Sequence, residues 1–154
     1  MEAMSVPLRK VAARLHLADG EELEGLFYVA VIGPDGAPGR LVDHLKRTSE
    51  RFLPFAGDDD TILVHKFRIV SIELGPGDRD HEAPESEFGV RRRIEVRLTT
   101  GALVSGWLSY VRPRDHVRLR DYLNTMSGFI PLYVGNDLLL INPRYVVSVR
   151  EPSA

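Results

Sequence analysis

The side chains able to do chemistry are few and scattered. There are five histidines, His16, His44, His65, His81 and His116, and no cysteine. A transition-metal site needs three or four ligands at set spacings, and these histidines lie too far apart to form a ligand motif. Asp58-Asp59-Asp60 is a run of carboxylates. A hard cation would require further oxygens at fixed intervals, so the run reads as a solvated turn after Gly57. Absence of cysteine removes thiolate nucleophiles and disulfides and fits a reducing compartment. No Gly-x-Ser-x-Gly elbow, Walker loop or dinucleotide fingerprint occurs. Gly33-Pro34-Asp35-Gly36 is glycine-rich, but its proline makes it a turn. Ser71 and Ser148 sit in apolar runs, where a hydroxyl serves the backbone. The expectation is a chain with no enzyme activity, no metal and no cofactor.

The arginines are more suggestive. Arg91, Arg92 and Arg93 form a triplet, and Arg112, Arg114, Arg118 and Arg120 a second group. Arg114 and Arg118 are four apart, which on a helix puts both on one face, with Asp121 next to them. Arg91, Arg92, Arg93, Arg112, Arg114 and Arg118 are the candidate contacts to an anion. The alternative is a basic linker end pairing with the acidic linker, and a solvated helix face. Residues 1–74 carry nine basic and twelve acidic side chains, residues 75–90 one and five, and residues 91–154 ten and five. The second half is therefore basic and the first acidic, which suits either mutual attraction or a polyanion on the second half.

Elements that would position these groups emerge from an internal repeat. Leu15-His16-Leu17-Ala18-Asp19-Gly20 lies over Val96-Arg97-Leu98-Thr99-Thr100-Gly101, and Gly25 over Gly106. Leu41–Leu45 then matches Leu119–Leu123, Phe52–Phe55 matches Phe129–Leu132, Ile62–Val64 matches Leu139–Ile141, and Ile69–Ile72 matches Val146–Val149. The offset drifts from 81 to 78 to 77 across loops. Between the copies runs a Gly/Pro-rich acidic stretch with linker chemistry. The expected organisation is a first repeat over 1–74, a linker over 75–92 and a second repeat over 93–154.

Val11, Ala13, Leu15 and Leu17, and likewise Ile94, Val96 and Leu98, alternate with more polar residues, the period of a half-buried strand. Asp19-Gly20 and Thr100-Gly101 supply turns. A second strand places Leu23, Gly25, Phe27 and Val29, or Val104, Gly106, Leu108 and Tyr110, on one face. Glycine at the same place in both copies predicts bending or a close backbone approach. Leu119, Tyr122, Leu123 and Met126 have helical spacing, with Asp115 as the expected cap, and Leu41, His44 and Leu45 keep part of that stripe. Three more short strands complete each copy.

Five bent strands in a copy of this size suggest a small closed barrel, and the expected fold is mainly β with short helices, two tandem barrels from an internal duplication. The pattern hydrophobic-x-hydrophobic-x-x-Gly-x-x-hydrophobic-x-Gly, with the apolar strand pair that ends each copy, resembles the Sm-like barrel family and is similar to SH3-like barrels generally. A bacterial family of tandem repeats is also suspected, which implies no particular activity. The helix between the second and third strands departs from the Sm pattern. Where Sm motifs place an acidic residue, this chain has Val31 and Arg112. Where they place an Arg-Gly pair, it has Val64-His65-Lys66-Phe67-Arg68 and Ile141-Asn142-Pro143-Arg144-Tyr145. The resemblance therefore implies a fold and no RNA base pocket.

No apolar run approaches the roughly 20 residues of a bilayer span, and Met1–Lys10 has no apolar export core, so the expected location is cytoplasmic and away from membranes. The expected role is a protein–protein interaction or assembly module with a protein partner, including association of the chain with itself. Weak binding of nucleic acid or another polyanion by the second repeat is the alternative.

Overall fold

The computed structural model describes residues 7–33, 36, 39–78, 89–111 and 118–152. The initial alternation becomes β1 (Leu8–Leu17), with Val11, Ala13 and Leu15 buried and Ala12 and Arg14 facing out. Gly20, at φ +92°, turns the chain into β2 (Glu22–Ala30) from a conformation that disfavours any Cβ. Helix α1 (Leu41–Arg47) buries Leu41 and Leu45 and leads to the hairpin β3 (Phe52–Ala56) and β4 (Thr61–His65). A 3-10 turn over Lys66–Arg68 then delivers β5 (Ile69–Leu74). The second half runs β6 (Gly89–Leu98), β7 (Leu103–Val111), α2 (Leu119–Thr125), β8 (Ile130–Val134), β9 (Asp137–Ile141), a 3-10 turn over Pro143–Tyr145, and β10 (Val146–Arg150).

The two halves share their ladders residue for residue. Ala13 pairs with Gly25 as Ile94 pairs with Gly106. Leu26 pairs with Ala56 as Trp107 pairs with Tyr133, and Leu53 with Val64 as Ile130 with Ile141. Even the irregularities recur: β5 bulges against β1 beside Leu17, and β10 bulges against β6 beside Leu98. Each 3-10 turn is capped by its preceding side chain, with the Phe67 N–H donating to His65 Nδ1 and the Arg144 N–H donating to Asn142 Oδ1.

The strands form one open antiparallel sheet of ten, ordered β10-β6-β7-β8-β9-β5-β1-β2-β3-β4. This corrects the expectation of two separately closed barrels. Within each half the order is fifth, first, second, third, fourth, and the halves join where β5 pairs with β9, Ile72 opposite Leu140 and Glu73 opposite Leu139. An edge that a lone unit would have to cover is covered by the other half. β6 also starts at Gly89, inside the stretch expected to be linker.

Two cores sit on this sheet, and they interlock. The first gathers Val11, Leu15, Phe27, Leu41, Phe55 and Ile72 but also takes Phe129, Tyr133, Leu138 and Leu140 from the second half. The second gathers Ile94, Val96, Leu108, Ile130 and Ile141 and takes Val70 from the first. Each fully buried aliphatic side chain of this kind stabilises by about 1.5–3 kcal/mol. Helix α2 buries no residue completely, but Leu119, Tyr122, Leu123 and Met126 pack against the second core as their spacing predicts. Its N-cap is Arg118; the expected cap, Asp115, lies outside the described residues. The buried Lys66 reaches the end of α1, where its ammonium donates to the carbonyls of Leu45 and Thr48 at 3.1 and 2.9 Å, a cation at the negative end of a helix.

Candidate functional site

Strand alternation splits the arginine triplet. Arg91 and Arg93 are exposed on one face of β6, where their guanidinium carbons stand 5.2 and 5.8 Å from the ring centre of Trp107 on β7. Arg92 points the other way, into a groove of about 600 Å³ shared with Arg118, Arg120 and Leu123 of the α2 region and Val149 of β10. The Nε of Arg92 is buried and has no hydrogen-bond partner among the described residues. Arg118 also lies 3.8 Å from Asp121, one turn into the helix. Of the predicted anion contacts, then, Arg92 and Arg118 come together, and Arg91 and Arg93 form a separate aromatic-backed pair. Arg112 and Arg114 lie outside the described residues. Arg120, which shares the groove, was seen in the sequence as part of the basic group but not as a contact.

A second groove, of about 430 Å³, follows the seam between the halves. Its floor is apolar, with Val70, Leu98, Val104 and Leu139, and its rim carries His16, Glu73 and Asp137. His16 Nδ1 lies 3.2 Å from Glu22 and Nε2 3.7 Å from Glu73, and Arg14 lies 3.9 Å from Glu73. These contacts form a charged surface strip across β2, β1 and β5. Among the described residues no group of three or more His, Cys, Asp or Glu side chains could hold a metal ion.

The third feature is the pair of terminal strands. In β4, Ile62 and Leu63 are exposed, Leu63 by 64%, and Phe52 beside them on β3 by 54%. In β10, Val147 is 56% exposed. Open strand edges bearing apolar side chains are sites where another chain can add. The seam that joins the halves shows what such an addition looks like. There the Asn142 N–H donates to the Val70 carbonyl at 2.9 Å, Asn142 Nδ2 to the Ile69 carbonyl at 3.0 Å, and the Tyr145 hydroxyl to the Phe67 carbonyl at 2.7 Å. The Arg144 guanidinium lies 3.9 Å from the centre of the Phe67 ring.

No known family, curated protein or solved structure matches the chain. Among the described residues no helix is long and apolar enough to cross a membrane.

The sequence missed the terminal edges as sites, because a single strand's pattern does not say whether it has a neighbour. A signal was available only for the ladder between the first and last strands of each half. Under the repeat offsets Arg14 corresponds to Glu95 and Glu73 to Arg150, a reversal of charge that betrays a cross-strand pair in each half. Arg14 does face Glu73, and Arg150 lies 2.6 Å from Glu95.

Proposed function

We propose that the chain is a non-enzymatic protein-interaction and assembly module built from two five-strand repeats of Sm/SH3-like strand pattern that share one open sheet. The observation that carries this reading is the exposure of apolar side chains on the two open sheet edges, Leu63 on β4 and Val147 on β10. Backbone groups on such edges supply affinity through ladder hydrogen bonds, and alternate side chains supply specificity. Burial of Leu63 and Val147 is not screened by salt, so binding through them persists as ionic strength rises. The test is binding of a candidate protein partner to the full chain and to Leu63→Glu at low and high salt. Salt-tolerant binding that the charge abolishes supports the reading; binding indifferent to the substitution overturns it.

A second reading is favoured by the groove that holds Arg92, Arg118 and Arg120, where the Arg92 Nε has no hydrogen-bond partner among the described residues. A polyanion there would bind by ionic contacts, with Kd in the non-specific range of about 10⁻⁴–10⁻⁶ M and a steep loss with salt. Titration of single-stranded RNA and duplex DNA at two salt concentrations measures it. Tight, sequence-dependent binding that survives high salt would promote this reading over the first.

A further inference from the structure

The groove at the seam is bordered by three hairpin turns: β1–β2 at Leu17 and Gly20, β6–β7 at Thr100 and Ala102, and β8–β9 at Val134 and Asp137. Turns on its borders suit a short ligand rather than a strand running through. Its volume of about 430 Å³ falls in the range of about 300–1,000 Å³ usual for small-molecule sites.

Two observations point to the occupant. The first is Ser71. It is 5% exposed, lies opposite His16 in the β1–β5 ladder and lines the groove, and its hydroxyl makes no hydrogen bond among the described residues. The sequence suggested that this hydroxyl serves the backbone; instead it is left for water or a ligand. The second is charge. Glu73 faces Leu139 across the β5–β9 ladder, and Asp137 is the next residue along that face of β9, so two carboxylates share one wall. Asp137 has no ion pair among the described residues. Glu73 has only long contacts, with His16 Nε2 at 3.7 Å and Arg14 at 3.9 Å, and Arg14 is held at 2.6 Å by Glu24. Like charges on one wall repel, and a cation between them relieves the repulsion.

We propose that the seam groove binds a small organic ammonium, its charged head between Glu73 and Asp137 and its apolar body on Val70, Leu98, Val104 and Leu139. The ammonium N–H groups donate to the two carboxylates and to the Ser71 hydroxyl oxygen, and charge-assisted bonds of this kind are the strong ones. Val70, Ser71 and Glu73 come from the first half and the rest from the second, so the ligand fastens the halves to each other. The repeat supplies a contrast. At β10, Arg97 and Arg150 stand in the places of His16 and Glu73, and Glu95 is already paired with Arg150. The same cation is repelled there. The groove lies in the middle of the strand order, away from the edge strands β4 and β10, so it stands or falls apart from the interaction-module reading.

Titration calorimetry of the full chain with hexylammonium, hexanol, hexanoate and methylammonium tests this. The first three probes share one apolar chain and differ in charge; the last has the charge and almost no chain. Hexylammonium is expected to bind saturably, hexanol and methylammonium at least about tenfold more weakly, and hexanoate not at all. In amide NMR spectra hexylammonium should move the resonances of Ser71, Leu98 and Leu139 and leave those of Leu63 and Val147 in place. Asp137→Asn removes a charge that no ion pair among the described residues uses, so the variant should keep its native circular dichroism and bind hexylammonium about tenfold more weakly, with hexanol binding unchanged. Glu73→Gln should act in the same direction. No saturable binding of hexylammonium in the millimolar range, equal binding of hexanol or hexanoate, resonance shifts centred away from the seam, or folded Asp137→Asn and Glu73→Gln variants that bind hexylammonium as the original chain does would each overturn the proposal.

Discussion

A Cβ on Gly25 would fall closer than 3.0 Å to the Ala56 carbonyl and the Phe55 ring, and one on Gly106 equally close to the Tyr133 carbonyl and Leu132. These glycines sit beside Leu26 and Trp107, where the second strand of each half meets the third. Since the obstacle is backbone, it cannot swing aside. Gly25→Val or Gly106→Val is expected to lower stability by at least about 1–3 kcal/mol in urea denaturation. This role was legible because glycine recurs at the same place in both repeats. His44 gives a second prediction at this scale. Partial burial, with Lys66 and Arg47 nearby and Glu50 opposing, holds its imidazole below the ordinary value of 6.5. The unfolded chain then binds the proton more readily, so the contribution is complete above pH 6.5 and is lost as pH falls toward the folded-state value. His44→Gln should flatten the acid side of the stability–pH curve between those two values. The effect is small, because His44 keeps contact with solvent.

At the scale of elements, the 3-10 turn before β10 fastens the two halves. Asn142 is 3% exposed, and its amide satisfies the Ile69 carbonyl across the seam while its oxygen caps the turn. Asn142→Leu leaves those groups unpaired and is expected to cost about 1–3 kcal/mol in chemical denaturation. Strands with one wet face were readable from their period of two, as Val11, Ala13 and Leu15 show. The β5–β9 ladder was not, because Ile69, Val70, Ser71 and Ile72 are all buried and such a run carries no alternation to name its neighbour. Arg91-Arg92-Arg93 hid the start of β6 for the opposite reason: three charges in a row erase the apolar signal, although the pleat still sends Arg92 to the other side from Arg91 and Arg93. The candidate groove was therefore half visible, with Arg92 and Arg118 named but their meeting unforeseen.

For the whole molecule, interlocked cores imply a single cooperative unit. Phe129, Tyr133, Leu138 and Leu140 complete the first core and Val70 the second. Removal of either half would expose those contacts and an unpaired strand. Calorimetry of the intact chain is expected to show one transition, and residues 1–74 or 93–154 expressed alone are expected to lack near-UV circular dichroism. Two transitions, or a half that folds alone, would mean that the seam is a docking contact between independent units. The repeat itself was evident in the sequence; the merging of its copies into one sheet was not, because nothing in a pair of similar segments says which edges meet.

The reversed charge pair has a consequence for how such a chain reaches its native state. Two similar repeats on one polypeptide invite exchange of equivalent strands during folding, a common trap for tandem architectures. Were β10 to take the place of β5 beside β1, Arg150 would face Arg14; were β5 to settle beside β6, Glu73 would face Glu95. Like charges directly opposite in a ladder repel, whereas both native pairings attract. The reversal thus acts as an address that sends each late strand to its own half. Arg14 faces Glu24 on β2 as well as Glu73 on β5, so Arg14→Glu combined with Glu24→Arg and Glu73→Arg keeps attractive pairs in the first half but gives both halves the same address. Recovery of native protein after dilution from urea should fall in that variant while its equilibrium stability stays near that of the original chain; unchanged recovery would show that the strands find their places by other means.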